Sequence, residues 1–207
     1  MDTTKTAIWN TCLDLAIESF NAQSLAIASV ITNADNEILA AGSNQLRDNR
    51  NSHNKIFLST IAHAEMNAIH NLGITGMTGR DFTLYTTVEP CPMCMGAIAL
   101  SRIKKVVIAS KDPYAGSAKW ADANQYIKGK NIRISFEEGY YNKLFFALHY
   151  LSIKRQLQDR PNHMIFEVFR THYEKEISEI DGLLQKTDIN EIVLSRTWIE
   201  NNIIPPA

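Results

Sequence analysis

The chain has 207 residues, of which 45% are apolar, and it carries 21 Lys and Arg side chains against 22 Asp and Glu. This composition excludes an intrinsically disordered chain, which would need few apolar residues and a high net charge. It also excludes a strongly basic protein that binds nucleic acid through its total charge. Three cysteines are too few for a secreted disulfide framework, so we expect a cytoplasmic protein. The longest apolar stretch is far shorter than the roughly 20 residues that cross a bilayer, so we expect no membrane span.

The first part of the chain predicts a helix and a hairpin. Residues 4–20 place apolar side chains at helical spacing and predict an amphipathic helix. Two strand-like runs follow, at residues 24–32 and 37–41, and the residue types of Asn33–Asn36 between them favour a tight turn. Residues 42–61 are polar and irregular, and a loop of that length inside a compact domain is usually functional or mobile.

The rest of the chain alternates helices and strands. The predicted elements are a helix at 63–72, a strand at 82–88, a helix at 93–101, a strand at 105–110, a helical stretch at 118–127, a strand at 131–135, a helix at 140–158, and a helix with apolar residues from Ile165 to Leu184. The long connection between the last two strands suits a crossover to a parallel neighbour. This order predicts an α/β fold, a three-layer α/β/α sandwich around one mixed five-stranded sheet, with the last two strands parallel and a C-terminal helical extension.

Two short motifs carry the chemistry, His63-Ala64-Glu65 at one predicted helix start and Pro90-Cys91-Pro92-Met93-Cys94 at the next. Cysteines three apart at a helix start can turn both sulfurs to one point, and two thiolates with one imidazole make a three-ligand zinc site. The open fourth position can hold a water whose pKa the metal lowers to about 7. Glu65 can lie beside that water and carry a proton.

A Cys-x-x-Cys pair is also typical of a structural zinc half-site or a redox pair. A closed structural site needs a fourth ligand, and the spare Cys12 lies on the predicted core stripe of the first helix. The order His-x-Glu, then Pro-Cys-x-x-Cys, is the signature of zinc deaminases. The sequence therefore favours a catalytic zinc site over a structural one.

The two motifs and their flanks resemble the cytidine deaminase-like superfamily. The segments that carry the resemblance are His63–Ile69 (HAEMNAI) and Thr83–Ile103 (TLYTTVEPCPMCMGAIALSRI), and the nearest pattern is the branch of tRNA adenosine deaminases and guanine deaminases. Lys104–Ser117 is similar to that branch too. The resemblance covers roughly residues 4–157, so we expect a catalytic domain at residues 1–157 and a helical extension at 158–207.

The resemblance also implies a role for each site residue. It implies one zinc ion per chain, held by His63, Cys91 and Cys94, with a water or hydroxide in the open position. Glu65 corresponds to the proton shuttle, and the Ala64 backbone N–H borders the pocket. Asn44 matches an asparagine that hydrogen-bonds the base in purine-directed members, although Gly42-Ser43-Asn44 is also good turn chemistry without a ligand. A homodimer is implied as well.

Together these features predict a zinc-dependent hydrolytic deaminase, a hydrolase that acts on the C–N bond of a cyclic amidine. The expected substrate is a small amine-bearing nucleobase or nucleoside, with a purine type such as guanine or adenosine favoured. A tRNA adenosine-to-inosine deaminase and a non-catalytic zinc-binding module with a deaminase fold stay open as alternatives. Residues 101–133 carry eight basic and two acidic side chains, which form either an RNA-facing patch or a solvated surface. The near-neutral total charge favours the solvated surface.

Overall fold

A mixed five-stranded sheet organises the computed structural model, which describes residues 3–48, 56–76 and 81–203. Its strands are β1 (Ala28–Thr32), β2 (Ile38–Ser43), β3 (Phe82–Val88), β4 (Ile103–Ser110) and β5 (Arg133–Phe136), in the spatial order β2-β1-β3-β4-β5. β1 is antiparallel to both β2 and β3, whereas β3, β4 and β5 run parallel. The predicted sheet, with its last two strands parallel, is confirmed.

The helices are α1 (Thr3–Asn21), α2 (Ala64–Gly76), α3 (Pro92–Leu100), α4 (Trp120–Ala123), α5 (Gln125–Lys128), α6 (Tyr140–Gln156), α7 (Met164–Leu184) and α8 (Arg196–Asn202). The helical stretch predicted at 118–127 is present as two short helices, because Asn124 is extended and separates α4 from α5. The Asn124 side chain accepts hydrogen bonds from the backbone N–H groups of Tyr126 and Ile127, and so caps α5. Among the described helices, none is long and apolar enough to cross a membrane.

The predicted hairpin forms, with different strand ends. β1 begins at Ala28 and not at Ser24, because the preceding backbone N–H groups bond outside the sheet: that of Ser24 donates to Ser19 O at 3.0 Å and that of Ala26 to Ser152 Oγ at 2.8 Å. β2 continues to Ser43, so the irregular loop starts later than predicted. Its described parts, residues 44–48 and 56–63, contain no helix or strand, and the remainder of the loop lies outside the described residues.

Two apolar layers flank the sheet, because alternate strand residues face opposite sides. On β3, for example, Leu84 joins the layer built with α2 and α3, and Tyr85 joins the layer built with α1 and α6. This arrangement confirms the predicted three-layer sandwich.

The C-terminal helices pack into the second of these layers. Phe169 and Ile177 of α7 and Ile199 of α8 are buried in the same apolar cluster as Trp9 of α1 and Phe145 of α6. The apolar stripe of α7 therefore packs within the chain. The division of the chain at residue 157 stays a prediction.

Candidate active site

The two predicted motifs lie where α2 and α3 begin. His63 directly precedes α2, and Glu65 is in its first turn. Cys91 is the N-cap residue of α3, and Pro92 is its first residue, a position that needs no backbone N–H. Cys94 follows in the first turn of α3 and is buried. The starts of two helices thus bring the three predicted ligands to one place.

The three ligand atoms are spaced as a zinc site requires. His63 Nδ1 lies 3.6 Å from Cys91 Sγ and 3.5 Å from Cys94 Sγ. In a tetrahedral zinc site with Zn–S near 2.3 Å and Zn–N near 2.0–2.1 Å, nitrogen and sulfur ligands are about 3.6 Å apart. His63, Cys91 and Cys94 therefore form a group that could hold a metal ion.

A fourth protein ligand is not found among the described residues. The group consists of one imidazole and two sulfurs, whose ligand atoms all lie within 4.8 Å of one another. Cys12, the remaining cysteine, is fully buried in the apolar cluster of α1. A three-ligand set fits an open, catalytic zinc site better than a closed structural one.

Hydrogen bonds distribute charge unequally between the two sulfurs. The bond between Cys94 and Cys91 lowers the pKa of Cys91 to about 4, against burial that acts the other way. The same bond raises the pKa of Cys94. A hydrogen bond to Cys91 raises the pKa of His63. Of the two cysteines, Cys91 therefore loses its proton more readily, and the thiolate is the form that ligates metals.

Glu65 is a buried carboxyl beside these ligands. Its side chain is in hydrogen-bonding contact with Cys94, and the residue is 4% exposed. Burial raises its pKa. A carboxyl whose pKa is raised holds a proton more readily than an exposed one, which suits a proton shuttle. Its catalytic role stays a prediction.

The two predicted substrate contacts lie at the start of α2 and directly after β2. Ala64 is the first residue of α2 and is fully buried. Asn44 is buried at the end of β2, where its backbone N–H donates to Ile27 O at 2.9 Å and its Oδ1 accepts from the Leu46 N–H at 3.3 Å. Asn44 therefore forms the turn that was one of its two predicted roles. The other, a hydrogen bond to the substrate base, stays a prediction.

Asn67, which neither motif singled out, fixes the start of α2 against the preceding loop. Its Nδ2 donates to Ser43 O at 3.1 Å and to Ile56 O at 3.0 Å, and its Oδ1 accepts from the Ile56 N–H at 3.1 Å. The residue is fully buried. A residue four positions after His63 lies on the same helix face as that ligand, and this spacing could have identified Asn67 from the sequence.

Glu89, which lies two residues before Cys91, fixes the segment of residues 111–118 that follows β4. Its Oε1 accepts from the Ala118 N–H at 3.0 Å, and its Oε2 accepts from the Asp112 N–H at 3.3 Å. The Ser117 N–H donates to Pro90 O at 2.9 Å. Since Pro90 immediately precedes Cys91, these bonds attach segment 111–118 to the chain that carries the ligand.

Comparison with known sequences gives one family and several relatives. Residues 2–110 match the family model described as the cytidine and deoxycytidylate deaminase zinc-binding region. The chain is 36% identical to a cytosine deaminase of Candida albicans over 108 residues, which cover 52% of this chain and 67% of that protein. It is 51% identical to a tRNA-specific adenosine deaminase of Bacillus subtilis over 61 residues, which cover 28% of this chain and 37% of that protein.

Solved structures share the fold. A diaminohydroxyphosphoribosylaminopyrimidine deaminase/5-amino-6-(5-phosphoribosylamino)uracil reductase of Thermotoga maritima aligns with a TM-score of 0.56 and 23% identity, over 76% of this chain and 42% of that one. A variant of the protein NE0047, in complex with 8-azaguanine, aligns with a TM-score of 0.56 and 20% identity, over 70% of this chain and 82% of that one. At these identities the likeness shows the fold alone.

The family match contains all three residues of the metal-ligand group. It extends over more than half of the chain and ends where β4 ends. The match confirms the resemblance inferred from the HAEMNAI and EPCPMC segments. The chain therefore belongs to the family defined by the cytidine and deoxycytidylate deaminase zinc-binding region.

Proposed function

We propose that this protein is a zinc-dependent hydrolytic deaminase that releases ammonia from an amine-bearing nucleobase or nucleoside. The observation that carries the proposal is the convergence of His63 Nδ1 with the sulfurs of Cys91 and Cys94, at 3.5 to 3.6 Å, beside the buried carboxyl of Glu65. The names of the sequence relatives support it, since both the Candida albicans and the Bacillus subtilis proteins are named deaminases.

The chemistry divides between the metal and one carboxyl. When bound by His63, Cys91 and Cys94, zinc supplies a Lewis acid that lowers the pKa of a water to about 7. Glu65 takes a proton from that water and passes it to a ring nitrogen while the water oxygen bonds to the amine-bearing carbon. Glu65 then takes the remaining proton from the new hydroxyl and delivers it to the amine, the C–N bond breaks as the C=O bond forms, and ammonia leaves a carbonyl product.

We favour a purine-type substrate such as guanine or adenosine. The support is Asn44, whose carboxamide has a donor and an acceptor in one plane, as hydrogen bonding to a base requires, and which lies on the turn after β2. The Gln45 N–H donates to Ala62 O at 2.9 Å, so this turn is bonded directly to the residue before the metal ligand. An Asn44→Asp variant, which loses the amide donor, is expected to raise KM for the purine and to leave the zinc content unchanged.

Cytosine is a second candidate, favoured by a specific observation. The Candida albicans relative named cytosine deaminase matches 108 residues of this chain at 36% identity. The two candidates separate in a competition assay, because a purine enzyme should prefer guanine or adenosine over cytosine when both are present in equal concentration.

A tRNA substrate is the third candidate, supported by the local 51% identity to the Bacillus subtilis protein. Several cations of the basic segment interact within the protein, which weakens the case for a continuous RNA-facing patch. Lys104 Nζ donates to Lys130 O at 2.9 Å, Lys130 Nζ lies 4.3 Å from the centre of the Tyr126 ring, and Lys111 Nζ lies 5.4 Å from that of Phe136. RNA binding would show affinity that falls steeply with added salt.

Ammonia release from the zinc-loaded protein tests the proposal, with guanine, adenosine, cytosine and an anticodon stem-loop RNA as substrates. Release from a free base or nucleoside is the expected result, and release from the RNA alone would contradict the small substrate. No release from any of the four, with zinc bound, would favour a non-catalytic module. A homodimer and a cytoplasmic location are also proposed, and light scattering and cell fractionation test them.

A further inference from the structure

Tyr173 lies at a kink in α7, outside the residues that the family model matches. Its backbone leaves the helical region, with φ −137° and ψ 39°. Its ring stacks on Phe146 of α6, with ring centres 3.6 Å apart and planes within 11°, and the residue is 6% exposed. The stacking and the kink together fix where the phenol points.

The hydroxyl of Tyr173 engages both backbone groups of Lys111. The Lys111 N–H donates to Tyr173 Oη at 3.0 Å, and the Tyr173 hydroxyl donates to Lys111 O at 3.4 Å. Lys111 is the first residue after β4, which ends at Ser110, so it lies beyond the paired part of the strand. Burial raises the pKa of Tyr173, so the phenol stays protonated and can donate at neutral pH.

Lys111 is also where segment 111–118 begins. The next residue, Asp112, donates its backbone N–H to Glu89, and Ser117 near the end of the segment donates to Pro90 O. Pro90 is covalently joined to Cys91. An unbroken series of hydrogen bonds and peptide bonds therefore connects the Tyr173 phenol in α7 to a predicted metal ligand.

We propose that Tyr173 is a positioning residue for the active site. By holding Lys111, it fixes segment 111–118, and through Glu89 and Pro90 that segment fixes the chain at Cys91. The inference rests on the proposed deaminase function, and it gives the C-terminal helix α7 a part in the site. Tyr173 itself is not placed in contact with substrate or metal.

Two variants separate this role from ordinary packing. Tyr173→Phe keeps the stacked ring and removes only the hydroxyl. Tyr150→Phe is the matched control, because Tyr150 is also buried between α6 and α7 and also stacks on Phe146, but its hydroxyl donates to Asp181 Oδ1 at 3.0 Å, within that interface. A general loosening of α7 would affect both variants alike.

Hydrogen exchange of backbone amides gives the first result, and it requires no enzymatic activity. In Tyr173→Phe the amides of segment 111–118 are expected to exchange about fivefold faster than in wild type, since one hydrogen bond contributes about 1 kcal/mol to local stability. Tyr150→Phe is expected to leave that segment within twofold of wild type. Equal exchange of the segment in wild type and Tyr173→Phe would overturn the proposal.

The metal site gives the second result. In cobalt-loaded protein, the thiolate-to-metal absorption band is expected to shift in Tyr173→Phe and to match wild type in Tyr150→Phe. An unchanged band in Tyr173→Phe overturns the link to Cys91. With zinc and an active substrate, KM in Tyr173→Phe is expected to rise at least about threefold, because a small displacement of the residues around the active site weakens substrate binding. If the variant were only less completely folded, the apparent kcat would fall and KM would stay unchanged. If wild type deaminates nothing, the deaminase proposal fails, and the exchange and absorption results still decide this one.

Discussion

Gly42 is the point where β2 touches the backbone of α2. A larger residue at this position is expected to displace the start of α2 and, with it, the active site. A Cβ at this position would lie 2.4 Å from Ala68 N, 2.5 Å from Ala64 O and 2.8 Å from the carbonyl carbon of Asn67. All three are backbone atoms of α2, so no side-chain rotation can relieve the contact. The substitution to test is Gly42→Ala.

The size of the effect follows from these distances. To reach an ordinary contact of 3.4 Å, the start of α2 must move by about 1 Å away from β2. Overpacking of this kind costs about 1–3 kcal/mol of unfolding free energy. Because His63 and Glu65 lie at the start of α2, they would move with it, and a displacement of these side chains by about 1 Å is expected to lower kcat/KM by about 100-fold.

Urea unfolding and ammonia release measure the two effects separately. Gly182→Ala is the control, since a Cβ there meets no heavy atom within 4 Å and the residue lies within α7. Alanine in a helix is favoured over glycine by up to about 1 kcal/mol, so this control should be as stable as wild type or more so. If Gly42→Ala matched wild type in both stability and kcat/KM, the close β2–α2 contact would not control the site, and the reasoning would be refuted.

Two further predictions concern residues beside the ligands. Asn67→Ala should lower the free energy of unfolding by about 2–4 kcal/mol, because three hydrogen bonds are lost and buried backbone groups lose their partner. The control Asn71→Ala, which loses a hydrogen bond to Ala41 O, should lower it by about 1 kcal/mol. Equal decreases in the free energy of unfolding of the two variants, measured by urea titration, would contradict this prediction. In metal-free protein at neutral pH, iodoacetamide should modify Cys91 well before the buried Cys12, because the pKa of Cys91 is near 4 and burial raises that of Cys12. Zinc should protect Cys91, and mass spectrometry that finds no protection would argue against its role as a ligand.

Much of the fold could be predicted from local patterns. Strand Phe82–Val88 has the predicted bounds, and the parallel pairing of β4 with β5 follows from the length of their connection. The ligand group could also be predicted from short motifs, since Pro92 indicates the start of α3 and the cysteines are three residues apart at that start. Local patterns thus predicted most of the elements and the three residues of the ligand group, but not α8 or the break between α4 and α5.

Contacts between distant segments could not be predicted in this way. The need for glycine at position 42 arises only where β2 meets α2, and the bond from Tyr173 to Lys111 spans 62 positions of the chain. The start of β1 was misplaced for the same reason, because Ala26 bonds to Ser152 of α6 rather than to a neighbouring strand. A single sequence contains no pattern that pairs such residues.

In the proposed enzyme, His63, Cys91 and Cys94 hold a zinc ion and Glu65 transfers the protons of a deamination. The most direct test measures ammonia release and zinc content together in wild type and Glu65→Gln, with the four candidate substrates. We expect one zinc per chain in both proteins, with ammonia release from a nucleobase or nucleoside in wild type and a rate lower by a factor of about 10²–10⁴ in Glu65→Gln. Near-wild-type release by zinc-loaded Glu65→Gln would contradict the account.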